Sequence, residues 1–169
     1  MESLEAILTR RSIRRYTSKE IPDEKIKTLI KAAFSAPSAG NQQPWHFIVI
    51  DDKKILEKVT EFHPRASFIT DAQKAILVCA DINLEKFKNY WPIDCSAATE
   101  NILIAARGLG LSSCWIGIHP INERVENLKR IFSLPESVIP FSMIALGYTN
   151  EKQKEVDRYK KERIHYNKW

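Results

Sequence analysis

Apolar positions recur along the chain with two alternating periods, and that alternation predicts the architecture. Leu4, Ile7 and Leu8 lie on one side of a short first helix. Ile26, Leu29, Ile30, Ala33 and Phe34 make a stronger second helix, opened by Pro22 and Asp23 and stopped at Ala36-Pro37. Residues 45–50 read as a buried strand, 55–62 as a helix and 75–80 as a second buried strand. The stretch 93–109 is small or apolar almost all round, which predicts a helix buried on most of its faces, ended by Gly108 and Gly110. A strand over 112–116, a helix over 125–132 opened by Asn122, and an apolar strand over 139–146 complete the order. These elements predict an α/β sandwich whose central helix is either wrapped by the domain's own sheet or shared across a dimer interface.

Composition narrows this picture without changing it. With 169 residues, 44% hydrophobic and 28% charged, the chain has the balance of a globular protein and the length of one domain, residues 1–169. There is no repeat and no Gly/Ser linker, and no stretch approaches the roughly 18 consecutive apolar residues of a membrane helix. The first residues lack the order of a signal peptide, so a cytoplasmic location with no membrane partner is expected. Cys79, Cys95 and Cys114 are widely spaced in apolar surroundings without a Cys-x-x-Cys pair, which predicts buried reduced thiols and no metal. The net charge of +5 sits at the two ends. Residues 1–20 carry five Lys or Arg against three acids, residues 150–169 carry seven against four, and the middle is neutral. A nucleic-acid surface would want a basic face with readable helices or stacking aromatics, so no nucleic-acid partner is expected. The ends are either solvated or meet at one small anion.

Three segments carry candidate chemistry. Arg10-Arg11-Ser12-Ile13-Arg14 presents three guanidiniums and a hydroxyl, a set suited to a phosphate monoester. The same arginines follow a helix C-terminus, where positive charge offsets the dipole without any ligand. The loop 36–45, Ala-Pro-Ser-Ala-Gly-Asn-Gln-Gln-Pro-Trp, offers carboxamide donors and acceptors for the polar edge of a planar heterocycle, or is an ordinary connection. The run 114–120 places Gly117 at a strand end, where backbone N–H groups have room to approach a flat ligand, or simply ends the strand. Phe87, Tyr90 and Trp91 in the 84–91 segment suit a cover over a ligand, although aromatic residues in such a segment more often serve packing. His46, His63, His119 and His165 show no Ser or Asp partner pattern, so no catalytic side chain is assigned.

Together these segments resemble the nitroreductase family over almost the whole chain. The matching stretches are Arg-Arg-Ser-Ile-Arg-Arg-Tyr at 10–16, Ala-Pro-Ser-Ala-Gly-Asn-Gln-Gln-Pro-Trp-His-Phe at 36–47, Ala-Ala-Thr-Glu-Asn-Ile-Leu-Ile-Ala-Ala at 97–106, Gly-Leu-Gly-Leu at 108–111 and Ala-Leu-Gly-Tyr at 145–148. The resemblance implies an α/β (α+β) three-layer sandwich, with a mixed central sheet flanked by helices and an intertwined homodimer holding two interfacial FMN molecules. It implies that Arg10, Arg11, Ser12 and Arg14 contact the phosphate and ribityl chain, and that Ile116 and Gly117 lie near flavin N5. Pro37, Ser38 and Asn41, with Ala39 and Gln43, would reach the same flavin from the partner subunit. Arg158 in the basic 150–169 extension, expected to pack on the partner, resembles a second phosphate contact. The family's usual basic residue two positions earlier is Val156 here, and Lys154 substitutes for it only if the tail bends suitably. The implied activity is ping-pong transfer of hydride from NADH or NADPH through FMN to a small-molecule acceptor such as a nitroaromatic or quinone. The alternatives are a flavin-storage protein and a family branch with another reductive reaction.

Overall fold

The computed structural model describes residues 2–152 and 156–169. Five α-helices and four strands alternate: α1 Ser3–Thr9, α2 Asp23–Phe34, β1 Trp45–Ile50, α3 Lys53–Phe62, β2 Lys74–Asp81, α4 Trp91–Gly108, β3 Ser112–Gly117, α5 Asn122–Phe132 and β4 Val138–Gly147. Local chemistry explains the boundaries. Pro22 supplies an extended cap before α2, with Asp23 and Glu24 in its first turn. Asp52 accepts a hydrogen bond from the Lys54 amide at the start of α3. Pro92 stands in the first turn of α4, where its missing N–H has no intrahelical partner to lose. Three-ten turns at Pro64–Asp71 and Ile82–Leu84, which apolar periodicity does not reveal, connect α3 to β2 and follow β2.

The strands form one sheet in the order β1-β2-β4-β3, with antiparallel pairing at all three contacts. The mixed sheet that the resemblance implied is therefore corrected to an antiparallel one, with one isolated parallel bridge between Ser12 and Ser113. The reason is topological. β2 and β3 do run in the same direction on either side of the α4 connection, but β4 inserts between them and turns each pairing antiparallel. The register of β2 against β4 shifts at Cys79, opposite Pro140, which has no amide hydrogen to donate.

Strand alternation sends side chains to two cores. Ile76, Val78, Ile144 and Leu146 face α2 and α4, while Leu77, Cys79, Met143 and Ala145 face α3 and α5. The result is the three-layer sandwich, helices to each side of the sheet. All three cysteines are buried and free. Burial pushes their thiols up, Cys79 to about 12. The long helix α4 buries its Cys95, Ala98, Ile102 and Ala106 side within this chain, yet Ile93 on it is 63% exposed. The neighbouring helix α1 exposes Leu4, Ile7 and Leu8. In the tail, Tyr159, Tyr166 and Trp169 are exposed as well. Lys154 lies outside the described residues.

Leu77, fully buried at the centre of β2, should be costly to truncate. Leu77→Ala is expected to lower stability by about 2–5 kcal/mol in urea unfolding followed by circular dichroism. Val49→Ala, at a position 42% exposed on the sheet edge, should cost less than about 0.5 kcal/mol in the same assay.

Candidate functional site

The basic segment after α1 is stitched to the sheet. The Ile13 amide donates to the Ser113 carbonyl at 3.0 Å, so residues 12 and 113 lie side by side at the outer edge of β3. Tyr16, whose hydroxyl donates to the Ile13 carbonyl at 2.6 Å, turns the chain back over Gly147. Its ring occupies the space a side chain at 147 would need, and burial pushes its phenol well above the usual range.

The four predicted contacts in this segment divide into two kinds. Arg11 donates from Nη1 to the Leu8 and Arg10 carbonyls, at 2.9 and 2.7 Å, and so caps the end of α1 as the helix dipole favours. Arg10 places Nε 3.2 Å from a Glu100 carboxylate oxygen on α4, though without hydrogen-bond geometry. The Nε atoms of both arginines are buried and lack a hydrogen-bond partner among the described residues. Arg14 pairs with no carboxylate among the described residues. Its guanidinium lies 5.6 Å from the centre of the Phe68 ring, over a face that attracts cations without neutralising them. Ser12 is exposed beside Ser113.

From Ser113 the strand β3 runs four residues to Gly117, a distance of roughly 13 Å at the rise of an extended chain. Beside it lies a cavity of about 240 Å³ that brings together Arg14, Ile116 and Gly117 with three residues not anticipated from the sequence, His63, Arg65 and Arg124. Among the described residues no carboxylate lines this cavity. Gly117 is exposed, and a Cβ there would meet nothing within 4 Å, so the backbone at this strand end is open to a flat neighbour. Arg124 bonds the Gly117 carbonyl at 2.9 Å. His63 ends α3 and is buried; burial, then Arg124, hold its imidazole below the ordinary value, while the Gly117 carbonyl works the other way. A signal for Arg124 does exist in the sequence. It lies in the first turn of α5, where the dipole disfavours a cation. Arg65, just past Pro64 in an irregular connection, carries no such mark.

The carboxamide loop is built elsewhere on the molecule and does not line this cavity. Gly40, Asn41 and Gln43 all adopt positive φ, at 50, 55 and 46°, a conformation Asn tolerates better than Gln. Buried Asp94 at the start of α4 accepts from the Ala39 amide at 2.9 Å and from Gln42 Nε2 at 2.5 Å. The other end of the Gln42 carboxamide accepts from the Lys86 and Phe87 amides, at 2.8 and 3.0 Å. Gln42 is thus a buried anchor that fastens the loop both to α4 and to the 84–91 segment. It leaves Pro37, Asn41 and Gln43 exposed, with Ser38 and Ala39 half-buried, and the exposed Phe87 ring covers Gly40. Trp91 is buried instead, edge-on to His119 and Phe141. Arg158 borders a separate cavity with Ile7, Leu8 and Arg11 beside α1.

The family model described as "Nitroreductase family" matches residues 7–66 and 63–148. Over 169 residues, all of this chain and 88% of the relative, the chain is 49% identical to a "Putative NADH dehydrogenase/NAD(P)H nitroreductase" of Methanothermobacter thermautotrophicus. It is 26% identical to "FMN reductase [NAD(P)H]" of Bacillus subtilis, covering 98% of this chain and 73% of that protein. Among solved structures, an "FMN-dependent Nitroreductase" from Clostridium difficile R20291 superposes with a TM-score of 0.91 at 28% identity, covering 98% of this chain and 99% of the other. The edge strand with its basic segment, the anchored carboxamide loop and these similarities lead to one statement: the chain belongs to the nitroreductase family.

Proposed function

We propose that the protein is an FMN-dependent oxidoreductase that takes hydride from NADH or NADPH and reduces a small acceptor, a nitroaromatic or a quinone, in two separate half-reactions. The observation that carries this reading is the cavity along β3, whose Arg14, Arg65 and Arg124 face no carboxylate among the described residues. Uncompensated guanidiniums lining a cavity call for an anionic or electron-rich ligand.

The residues fit FMN on grounds of chemistry and length. The orphaned Nε–H groups of Arg10 and Arg11, with the Ser12 hydroxyl, offer donors for a dianionic phosphate. Roughly 13 Å along β3, Ile116 and Gly117 offer backbone at an open strand end, a spacing suited to a ribityl phosphate leading to a ring system. FMN, when bound, supplies the two-electron chemistry. This chain's residues bind its phosphate at 10–12 and present N–H groups at 116–117 to the ring. Arg14, Arg65 and Arg124 favour the added negative charge that reduction brings.

The second half of the site comes from a second copy of the chain. In support, the loop carrying Pro37, Ser38, Ala39, Asn41 and Gln43 presents exposed polar groups away from its own cavity. The apolar residues left uncovered on α1 and α4, and the aromatic residues of the tail, supply surface for a homodimer in which 150–169 packs on the partner and Arg158 adds a phosphate contact.

The purified protein should show flavin absorbance, bleach under anaerobic NADH or NADPH and recover on adding a nitroaromatic or quinone. Absence of bound flavin even after FMN addition would sink the reading, and flavin that does not bleach would make the protein a carrier. Arg14→Ala should weaken FMN binding by about 1–3 kcal/mol in a fluorescence titration, with Arg14→Lys intermediate because it loses the planar fork. An unchanged affinity would leave Arg14 with no ligand role. Dilution followed by sedimentation should release FMN as the dimer dissociates; a monomer that keeps its flavin contradicts the shared site.

A further inference from the structure

One buried titratable group in the cavity along β3 has no part in holding the flavin. His63 is 7% exposed, lines the cavity, and its Nδ1 atom has no hydrogen-bond partner among the described residues. A buried ring nitrogen without a partner is unfavourable for folding, so its retention beside Gly117 points to use. The charged and titratable groups that share its cavity are Arg65 from the turn that follows it, Arg124 from α5, Arg14 from the segment along β3, and the Cys114 thiol on β3 itself. Three of these are cations, and among the described residues no acid lines the cavity to offset them.

Building on the FMN reading, we propose that His63 holds a proton for the reaction, taking it from solvent at Nδ1 when reduction brings negative charge into the cavity and releasing it when the electrons leave. Hydride transfer moves two electrons and one hydrogen nucleus from NAD(P)H, leaving NAD(P)⁺ and one added negative charge in the cavity. The imidazole becomes imidazolium and cancels that charge. A quinone acceptor then takes the hydride and the imidazolium proton, giving a hydroquinone and neutral His63.

The other groups lining the cavity cannot do this. A guanidinium balances charge but does not release a proton near neutral pH. Burial raises the Cys114 thiol, so it stays protonated throughout. For His63 the sign runs the right way. With the cavity uncharged by ligand, burial, Arg124 and, to a smaller extent, Arg65 depress its proton affinity below the ordinary value, outweighing the Gly117 and His63 backbone carbonyls that raise it. A negative charge among the same cations opposes them and raises the affinity. Between the two resulting values, reduction takes up two protons per two electrons; outside that window it takes up one.

The test uses FMN-loaded protein. Nuclear magnetic resonance titration of the four histidines, His46, His63, His119 and His165, should show His63 neutral at pH 7 in the oxidised protein and protonated after reduction. The reduction potential should fall with pH twice as steeply in the wild type as in His63→Gln across that window. If His63→Gln does not fold or loses flavin, the resonance of the wild type decides alone. Protein that binds and reduces FMN while His63 stays neutral, or equal slopes in the two proteins, overturns the proton role and leaves the FMN reading intact. Wild-type protein that binds no FMN overturns both.

Discussion

The two middle strands, β2 and β4, are apolar on both faces, and most of the molecule follows from covering them. Ile76, Val78, Ile144 and Leu146 on one side and Leu77, Cys79, Met143 and Ala145 on the other leave neither strand a face for water. Helices must therefore lie on both sides, and β1 and β3 become the edges. β4 reaches the middle only by inserting between two strands that α4 connects, so β3 is held at the rim with one edge unpaired by any strand. An exposed edge invites another segment of chain. Here Ile13 and Ser12 dock on it, and with them come the arginines.

That docking turns a charged helix end into one side of a cavity. Arg14 rests over Phe68 while Arg65 and Arg124 approach from the layer formed by α3 and α5. Their positive charge is left uncancelled by any acid lining the cavity among the described residues, which is unfavourable for the fold alone and useful to a protein that must receive electrons. Arg124, set against the dipole of its own helix, also donates to the Gly117 carbonyl and so fixes the strand end proposed above to face the flavin ring. The carboxamide loop is held in place for another reason. Asp94 and Gln42 join the carboxamide loop, α4 and the 84–91 segment through four hydrogen bonds, each to a group that would otherwise be left without a partner.

The sequence marked the residues of Arg10 to Arg14 as a unit, yet the structure separates their roles. Arg11 caps a helix, Arg10 sits against Glu100, and only Arg14 opens into the cavity. Likewise, the loop of carboxamides was visible as a group, but which of them is buried was not. Gln42 disappears into the anchor while its neighbours Asn41 and Gln43 stay exposed, because positive φ on either side of it turns successive side chains in different directions. His63 and Arg65 carried no recognisable spacing at all. They reach the cavity through the three-ten turn after α3, an irregular connection with no periodic pattern.

By itself the sequence determined the kind and order of the elements, the apolar character of the central strands and the family to which the chain belongs, but it read β1 as buried too, whereas His46 and Val49 are exposed on that edge strand. These are properties of local periodicity and of short motifs, which act over a few neighbouring residues. Tertiary structure alone decided that the sheet is antiparallel, that β3 is an edge, and that His63, Arg65 and Arg124 meet Arg14 around one cavity. Those outcomes depend on which strand enters the sheet beside which, and on contacts between residues as far apart as positions 14 and 124. No local pattern encodes such a pairing, because its free energy comes from burying both faces of the whole sheet at once.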